Sequence, residues 1–137
     1  MADKRVNPST DSNYAIRFAS RHGHVEIVKL LLADKRVDPS VHNNRLIQRA
    51  ALYGYDEIVQ LLLADKRVDP SANNNLAIIS AAQYGRIEVV KLLLNDKRVD
   101  PSTDDNYALK MAQQNGHEEI VKLLQQHPKV QEKLKQK

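Results

Sequence analysis

The side chains in this chain best suited to metal binding or acid–base chemistry are its five histidines. They are His22, His24, His42, His117 and His127. A zinc site would be indicated by two histidines four residues apart on one helix face, or by histidine together with cysteine. Neither pattern occurs, and the chain has no cysteine. His24 and His117 each follow a glycine, and we expect both to be satisfied structural residues. The histidines therefore predict no metal site.

Paired carboxylates are the second candidate for chemistry. Asp104-Asp105 and Glu118-Glu119 are such pairs, but an acid–base dyad needs a pocket around it. The first pair falls on a connector and the second at a helix start, where solvation and helix capping account for them. The four glycines lie far apart, so no phosphate-binding loop is present. We predict no catalytic residue, no cofactor and no enzymatic activity.

These residues are positioned by an internal repeat. Asp-Lys-Arg-Val begins at Asp3, Asp34, Asp65 and Asp96 and so returns every 31 residues. Four copies occupy 3–33, 34–64, 65–95 and 96–126, followed by a Lys-rich tail at 127–137. A fixed period of this length is typical of stacked repeats, in which each unit contacts only its neighbours. We predict one all-α domain over 1–137, a solenoid of four helix-turn-helix units with short connectors and a C-terminal cap.

The second copy illustrates the unit. Asn44 stands where a helix N-cap is expected, and a first helix follows from about Arg45 to Tyr53. Gly54 ends that helix, because glycine most readily takes a left-handed backbone. A second helix runs from about Asp56 to Ala64, with Lys66 and Arg67 just past its end. Their positive charges interact favourably with the negative end of the helix dipole. Pro70 keeps the next connector from continuing the helix.

One pattern carries a family resemblance. Ala-Ala-x-x-Gly-x-x-Glu-Ile/Val-Val-x-Leu-Leu-Leu, at 50–63 and 81–94, resembles the helix-turn-helix half of an ankyrin repeat. The resemblance covers all four copies and implies a non-catalytic scaffold that binds a protein partner through the concave face of the stack. The period is shorter than the ~33 residues usual in that family, which implies a shortened or absent β-turn finger. The family's Thr-Pro-Leu-His is also replaced, so Asn13, Asn44, Asn75 and Asn106 are expected to cap the first helices. This short variant is similar to ankyrin arrays of large DNA viruses and some protists.

Variation between copies predicts where a partner binds. Three first-helix columns vary while the alanine and glycine between them do not, and tyrosine and arginine are frequent hot-spot residues. The predicted partner-binding residues are Phe18, Arg21, His22, Arg49, Leu52, Tyr53, Gln83, Tyr84, Met111 and Asn115. Neighbouring Tyr53 and Tyr84, with Arg49 and Leu52, form the predicted anchor patch. The connector triplets at 10–12, 41–43, 72–74 and 103–105 also vary, and we expect them to border the same face.

Charge leaves a second function open. The net charge is +4, of which the tail carries +3 (four lysines against Glu132). The Lys-Arg pairs form a ladder that, with the tail, could bind nucleic acid or an acidic surface. Each pair follows an aspartate, so the ladder alternates in sign and a nucleic-acid partner is disfavoured. A third reading is a consensus-like or engineered repeat scaffold. No apolar run is long enough to span a bilayer, and no signal stretch is present, so we predict an intracellular, cytoplasmic or nuclear protein with no membrane partner.

The ends of the array differ. In copy four, Gln113 replaces a small residue and Gln125 replaces the third leucine, as expected where stacking stops. Val130 and Leu134 are expected to lay an apolar edge over the last helix pair. Copy one has no such polar replacements. Its bare front face is expected if the chain is a piece of a longer array, if the first unit is marginally stable, or if two copies associate end to end as a homodimer.

Overall fold

The computed structural model describes residues 7–136 of the chain, apart from the side chain of Ser12, and the elements in this range are helices. They are α1 (Thr10–Arg21), α2 (Val25–Leu32), α3 (Val41–Tyr53), α4 (Asp56–Ala64), α5 (Ala72–Gln83), α6 (Ile87–Leu94), α7 (Thr103–Gln114), α8 (Glu118–Gln125) and α9 (Pro128–Lys135). The structure is an all-α solenoid, as predicted. Within the described range, no helix has the length and apolar character needed to cross a membrane.

The helices form two rows. The first helices of the repeats (α1, α3, α5 and α7) pack side by side, and the second helices (α2, α4, α6 and α8) form the other row. The invariant alanine of the first helix allows the close approach, because Ala50, Ala81 and Ala112 are completely buried between helices. Both rows contribute large core side chains: Ile16, Ile47 and Ile78 from the first helices and Ile58, Leu62 and Leu93 from the second are almost fully buried.

Helix boundaries follow the predicted signals closely. The second helix of copy two runs from Asp56 to Ala64, as predicted. Gly54 ends the preceding helix with φ of 76°, in the left-handed region that a side chain with a Cβ rarely adopts. Regular helical backbone in the first helix begins only after Asn44, so the predicted start at Arg45 is also confirmed.

The residues just before that start are left-handed rather than extended. His42, Asn43 and Asn44 have φ of 56°, 56° and 63°, and the triplets Asn73–Asn75 and Asp104–Asn106 repeat this geometry. Left-handed backbone is uncommon outside glycine and is tolerated best by Asn, Asp and His. The connector residues that vary between copies are therefore restricted to side chains that this turn accepts.

The two ends of the described stack are covered unequally. At the C-terminal end α9 packs on α7 and α8, and Val130 is completely buried. Leu134 is 43% exposed, so it is covered much less than Val130 in the predicted edge. At the front, Ile27 is 49% exposed, whereas its counterparts Ile58, Val89 and Ile120 are 0% exposed. The bare front face is present in the described structure.

Candidate partner-binding face

Three sets of repeated side chains hold the stack together, and the asparagine that closes each left-handed turn is the first. The side-chain oxygen of Asn44 accepts from the backbone N–H of Asp69 in the next repeat, 2.7 Å away. Asn13 and Asn75 accept in the same way from the amides of Asp38 and Asp100, at 2.7 and 2.8 Å. The prediction that these asparagines cap their own helices is wrong. They join successive repeats instead.

Asn106 is the last member of this column and differs from the others. Its Nδ2 donates to the carbonyl of Val130 at 3.2 Å, but its buried Oδ1 has no hydrogen-bond partner among the described residues. Because α9 has replaced the next connector, no aspartate amide is placed opposite that oxygen. The tail covers the apolar end of the stack without reproducing the hydrogen bond between repeats.

The arginine of each Lys-Arg pair is the second set. Arg67 forms an ion pair with Asp65, its Nη1 donates to the carbonyl of Val37 in the connector of the preceding repeat at 2.6 Å, and its Nη2 donates to that of Leu32 at the end of α2 at 3.1 Å. Arg98 does the same with Val68 and with Leu63 near the end of α4, at 2.8 and 3.4 Å. Each arginine thus reaches from beyond the end of one second helix to carbonyls at, and just after, the end of the second helix before it.

The ion pairs lower the pKa values of the aspartates. The hydrogen bond from Arg67 lowers the pKa of Asp65 although burial opposes it, and Arg98 lowers the pKa of Asp96 in the same way. The hydrogen bond from Arg36 lowers the pKa of Asp34 to about 2. Among the described residues of the ladder, Arg36, Arg67 and Arg98 are thus paired with aspartates, and Arg67 and Arg98 also bond backbone carbonyls. Lys35, Lys66 and Lys97 are exposed.

The residue after the helix-ending glycine is the third set, and its chemistry varies while its role does not. Tyr55, Arg86 and His117 each reach back to a carbonyl at the end of the preceding first helix. The acceptors are the carbonyls of Arg21, Leu52 and Gln83, at 3.2, 2.9 and 3.0 Å. The structural role predicted for His117 is confirmed. His24 has no hydrogen bond to a preceding repeat in the described structure, so the same prediction fails for it.

Glycine has a second role beside these side chains. A Cβ built on Gly85 would lie 2.8 Å from Cε1 of His117, and one on Gly54 would lie 2.9 Å from Cδ of Arg86. Gly116 has nothing within 4 Å at the same position. Gly54 and Gly85 therefore also leave room for the reaching side chain of the next repeat.

The predicted partner-binding residues lie mostly outside these three sets. We call the surface formed by the three variable columns of α1, α3, α5 and α7 the first-helix face. Phe18, Tyr53 and Tyr84 are 45%, 37% and 53% exposed on it. Arg21, His22 and Asn115 are also exposed, and Arg49, Leu52 and Gln83 are partly buried. Met111 is only 9% exposed and offers a partner little surface.

Two of these side chains contact other residues of the stack. The ring centroid of Tyr53 lies 5.6 Å from that of Tyr55 in its own repeat. Asn115 donates from Nδ2 to the carbonyls of Gln83 and Met111, at 3.2 and 3.1 Å, and thus ties α7 to the preceding repeat. Phe18 lies 4.3 Å from His22, ring to ring, and the two form an exposed aromatic strip on α1.

The carboxylate and histidine candidates form no common site in the described structure, and of the histidines the rings of His22 and His24 lie 6.1 Å apart. Asp105 pairs with Lys110 at 3.4 Å on α7, and Glu118 and Glu119 lie in the first turn of α8. Nδ1 of His127 accepts from the backbone amide of Lys129 at the start of α9. Within residues 7–136 no group of three or more His, Asp or Glu side chains is placed to hold a metal ion.

The comparison with known families agrees with this architecture. A family profile described as "Ankyrin repeats (3 copies)" matches residues 1–74 and again 47–134. The two matches together cover nearly the whole chain, which therefore belongs to the ankyrin-repeat family. Proteins of this family generally serve as protein–protein interaction modules and are typically not enzymes. No curated protein matches the chain, so the similarity to viral and protist arrays stays a prediction.

Proposed function

We propose that this chain is a non-catalytic scaffold that binds a protein partner through the first-helix face, on the concave side of the stack. The observation that supports the proposal most directly is how the side chains are used. The invariant asparagines, arginines and glycines, and the residue after each glycine, are committed to joining repeats. Large exposed side chains remain on the first helices, among them Phe18, Tyr53 and Tyr84.

The mechanism of such a scaffold is rigid presentation. Hydrogen bonds and buried apolar side chains fix each first helix relative to the next, so the exposed side chains are ordered before a partner arrives. Binding then orders few additional groups, which reduces its entropic cost. Tyrosine and phenylalanine suit this task, because each combines a large contact area with few rotatable bonds.

The test compares two double variants as bait in cell extract, with the captured proteins identified by mass spectrometry. Tyr53→Ala/Tyr84→Ala removes exposed aromatics from the first-helix face. Lys29→Ala/Gln60→Ala is the matched control, because both residues are exposed on the second helices. We expect a partner that wild type and control retain and that the tyrosine variant loses by tenfold or more, since anchor residues contribute about 2 kcal/mol or more each. Equal recovery with all three baits would contradict the assignment of the face.

A specific observation favours a second interaction, end-to-end self-association of two copies. The front of α1 and α2 leaves Ile27 and Leu30 at 49% and 63% exposed. Two such faces related by a twofold axis could cover each other. Light scattering at micromolar concentration should then give a dimer mass, and Ile27→Glu should return a monomer.

Hydrogen exchange on a monomeric sample provides a separate check of the front repeat. Amides at 27–31 should exchange faster than those at 58–62, because Ile58 is fully buried and Ile27 is not. A monomer mass together with equal protection of both segments would contradict both the self-association and the weakness of the first repeat.

A further inference from the structure

A groove between α1 and α3 is lined by a concentration of arginine. It encloses a cavity of about 170 Å³ whose lining includes Arg17, Arg21, Arg45 and Arg49, together with Tyr14 and Phe18. We call these six residues the Arg groove. All the charged side chains that line the cavity are arginines. No carboxylate lines it.

The guanidinium groups in this groove are used differently from those of the repeat ladder. Arg36, Arg67 and Arg98 each form an ion pair with an aspartate two residues earlier. By contrast, the side chains of Arg21, Arg45 and Arg49 form no hydrogen bond or ion pair with any residue that the structure describes. Guanidinium presents a fixed fork of donors that matches a carboxylate in two parallel hydrogen bonds. Several such forks in one groove favour a ligand with several negative groups.

One wall of the groove is aromatic. The ring of Tyr14 lies 5.9 Å from that of Phe18, and the two side chains are 54% and 45% exposed. The guanidinium carbon of Arg17 lies 5.7 Å from the centre of the Tyr14 ring, and its Nη2 donates to the carbonyl of Asp11. This wall can take an apolar side chain beside the charges. The groove therefore suits a ligand that is both acidic and partly apolar.

Ser20 adds a polar group to the lining. It is 2% exposed, and its hydroxyl has no hydrogen-bond partner among the described residues. The equivalent residues in the next two repeats are Ala51 and Ala82, so a hydroxyl has replaced a methyl group only where the arginines converge. A buried hydroxyl without a partner is unfavourable, and a ligand or water acceptor in the cavity would relieve this.

The groove continues along the stack and changes in charge. A second cavity, of about 510 Å³, lies between α3 and α5; it shares Arg45 and Arg49 and adds Leu52 and Leu76. Farther along, α7 carries Asp104 and Asp105. The two adjoining cavities form a row along the first helices, and the positive end of this row is at the first two repeats. This shape fits an extended chain running across the first helices better than a folded surface.

We propose that the Arg groove binds an extended acidic peptide segment, whose Asp or Glu side chains pair with Arg21, Arg45 and Arg49 and whose neighbouring aromatic or aliphatic side chain packs on Tyr14 and Phe18. The assignment rests on the proposed function, since it names the kind of partner segment that this end of the first-helix face accepts. It also gives the segment a direction, with its acidic part on the first two repeats.

The test uses fluorescence anisotropy with synthetic labelled peptides and the full chain. The probe is a short peptide of Glu and Asp residues around one Phe. One matched peptide has Gln and Asn in place of the acids, and another has Ala in place of Phe. A labelled mixed-sequence single-stranded DNA is included because a purely electrostatic site would prefer it. We expect the acidic Phe peptide to bind most tightly and the neutral peptide not to bind measurably.

Variants identify the site. Arg45→Gln/Arg49→Gln should weaken binding of the acidic peptide by about tenfold or more, because it removes two guanidinium forks. Lys66→Gln/Lys97→Gln removes the same charge from exposed positions elsewhere and should change the affinity less than about twofold at moderate salt. Far-ultraviolet circular dichroism and thermal unfolding check that both variants are folded. In a further variant, Phe18→Ala should weaken the Phe peptide and leave the Ala peptide unchanged.

Four outcomes would contradict the proposal that the Arg groove binds an acidic peptide. They are no binding of the acidic peptide by wild type, equal loss in both double variants, equal binding of the Phe and Ala peptides, and tighter binding of the DNA. Failure here is distinguishable from failure of the proposed function. If Tyr53→Ala/Tyr84→Ala still loses a captured partner while the acidic peptide does not bind, the face is correct and the ligand class assigned to its basic end is wrong.

Discussion

Nη1 of Arg67 donates a hydrogen bond to the backbone carbonyl of Val37, 2.6 Å away in the preceding repeat. The same side chain is paired with Asp65 and reaches the carbonyl of Leu32. One arginine thus closes a turn in its own repeat and satisfies two carbonyls at, and just beyond, the end of α2. An arginine engaged in this way is poorly placed to bind nucleic acid as well.

Arg67→Lys should destabilise the chain by about 1–3 kcal/mol, because lysine keeps the charge but cannot reproduce the fork of donors. Lys66→Ala is the matched control. It removes an exposed neighbour, and its effect should stay within about 0.5 kcal/mol. The free energy of unfolding, from urea denaturation, measures both. Equal stability of Arg67→Lys and wild type would show that the contacts with Val37 and Leu32 contribute nothing.

Gly85→Ala and Gly116→Ala form a second matched pair. Both place alanine at a left-handed backbone, with φ of 75° and 72°, which costs about 1–2 kcal/mol in each. Only the alanine at 85 would also meet the side chain of His117. We expect Gly85→Ala to be the more destabilising by about 1–3 kcal/mol, the range usual for overpacking. If urea denaturation gives equal losses, the reaching side chain moves aside at no cost.

Asn75→Gly and Asn74→Gly separate the hydrogen bond between repeats from the strain of the turn. Both asparagines are left-handed, with φ of 61° and 55°, and glycine relieves that conformation at either position. Asn75→Gly also leaves the partly buried amide of Asp100 without its acceptor, removes the bond to Thr103 Oγ1, and should cost about 1–3 kcal/mol. Asn74 is exposed, and its replacement should change stability by about 1 kcal/mol or less. Equal effects in thermal unfolding would mean that Asn75 acts only through its backbone.

Docking of α9 should depend on pH through His127. Burial and the nearby Lys129 lower the pKa of His127 below its ordinary value of 6.5, and Asp100 opposes them in part. A lowered folded-state pKa means that the unfolded chain binds the proton more readily. The stabilising contribution is therefore complete above about pH 6.5 and is lost as pH falls through the lower folded-state pKa. Protonation also removes the Nδ1 acceptor of the Lys129 amide.

The measurement is the exchange protection factor of α9 amides as the pH is lowered from neutral. His127→Asn is the control, because asparagine can cap the helix in the same way but does not titrate. Wild type should lose α9 protection on mild acidification while the variant keeps it. Identical pH profiles for the two proteins would exclude His127 as the titrating group.

Much of the fold could be predicted from the sequence because its strongest signals are local. The 31-residue period predicted the stacked architecture, and Gly54 predicted the end of α3. Both ends of the second helix of copy two were predicted to the residue. The left-handed turns were missed although a signal was present. The residues at 42–44, 73–75 and 104–106 are all His, Asn or Asp, the side chains that tolerate this backbone best.

The contacts between repeats were harder to predict for a physical reason. Tyr55, Arg86 and His117 have unlike side chains, yet each bonds a carbonyl that every residue possesses. Residue identity therefore reveals neither the shared role nor the acceptor. The binding face shows the same limit. Variation pointed correctly to exposed Tyr53 and Tyr84, but it could not distinguish them from Met111, which the adjoining repeat buries.

The central claim is that the first-helix face binds the partner, and an exchange footprint of the chain with its captured partner tests it most directly. We predict that amides of α3 and α5, flanking Arg49, Tyr53 and Tyr84, become more protected in the complex. Amides around Lys29, Gln60 and Lys91 on the second helices should be unchanged. Protection confined to the second helices or to α9, with none on α3 and α5, would contradict the account.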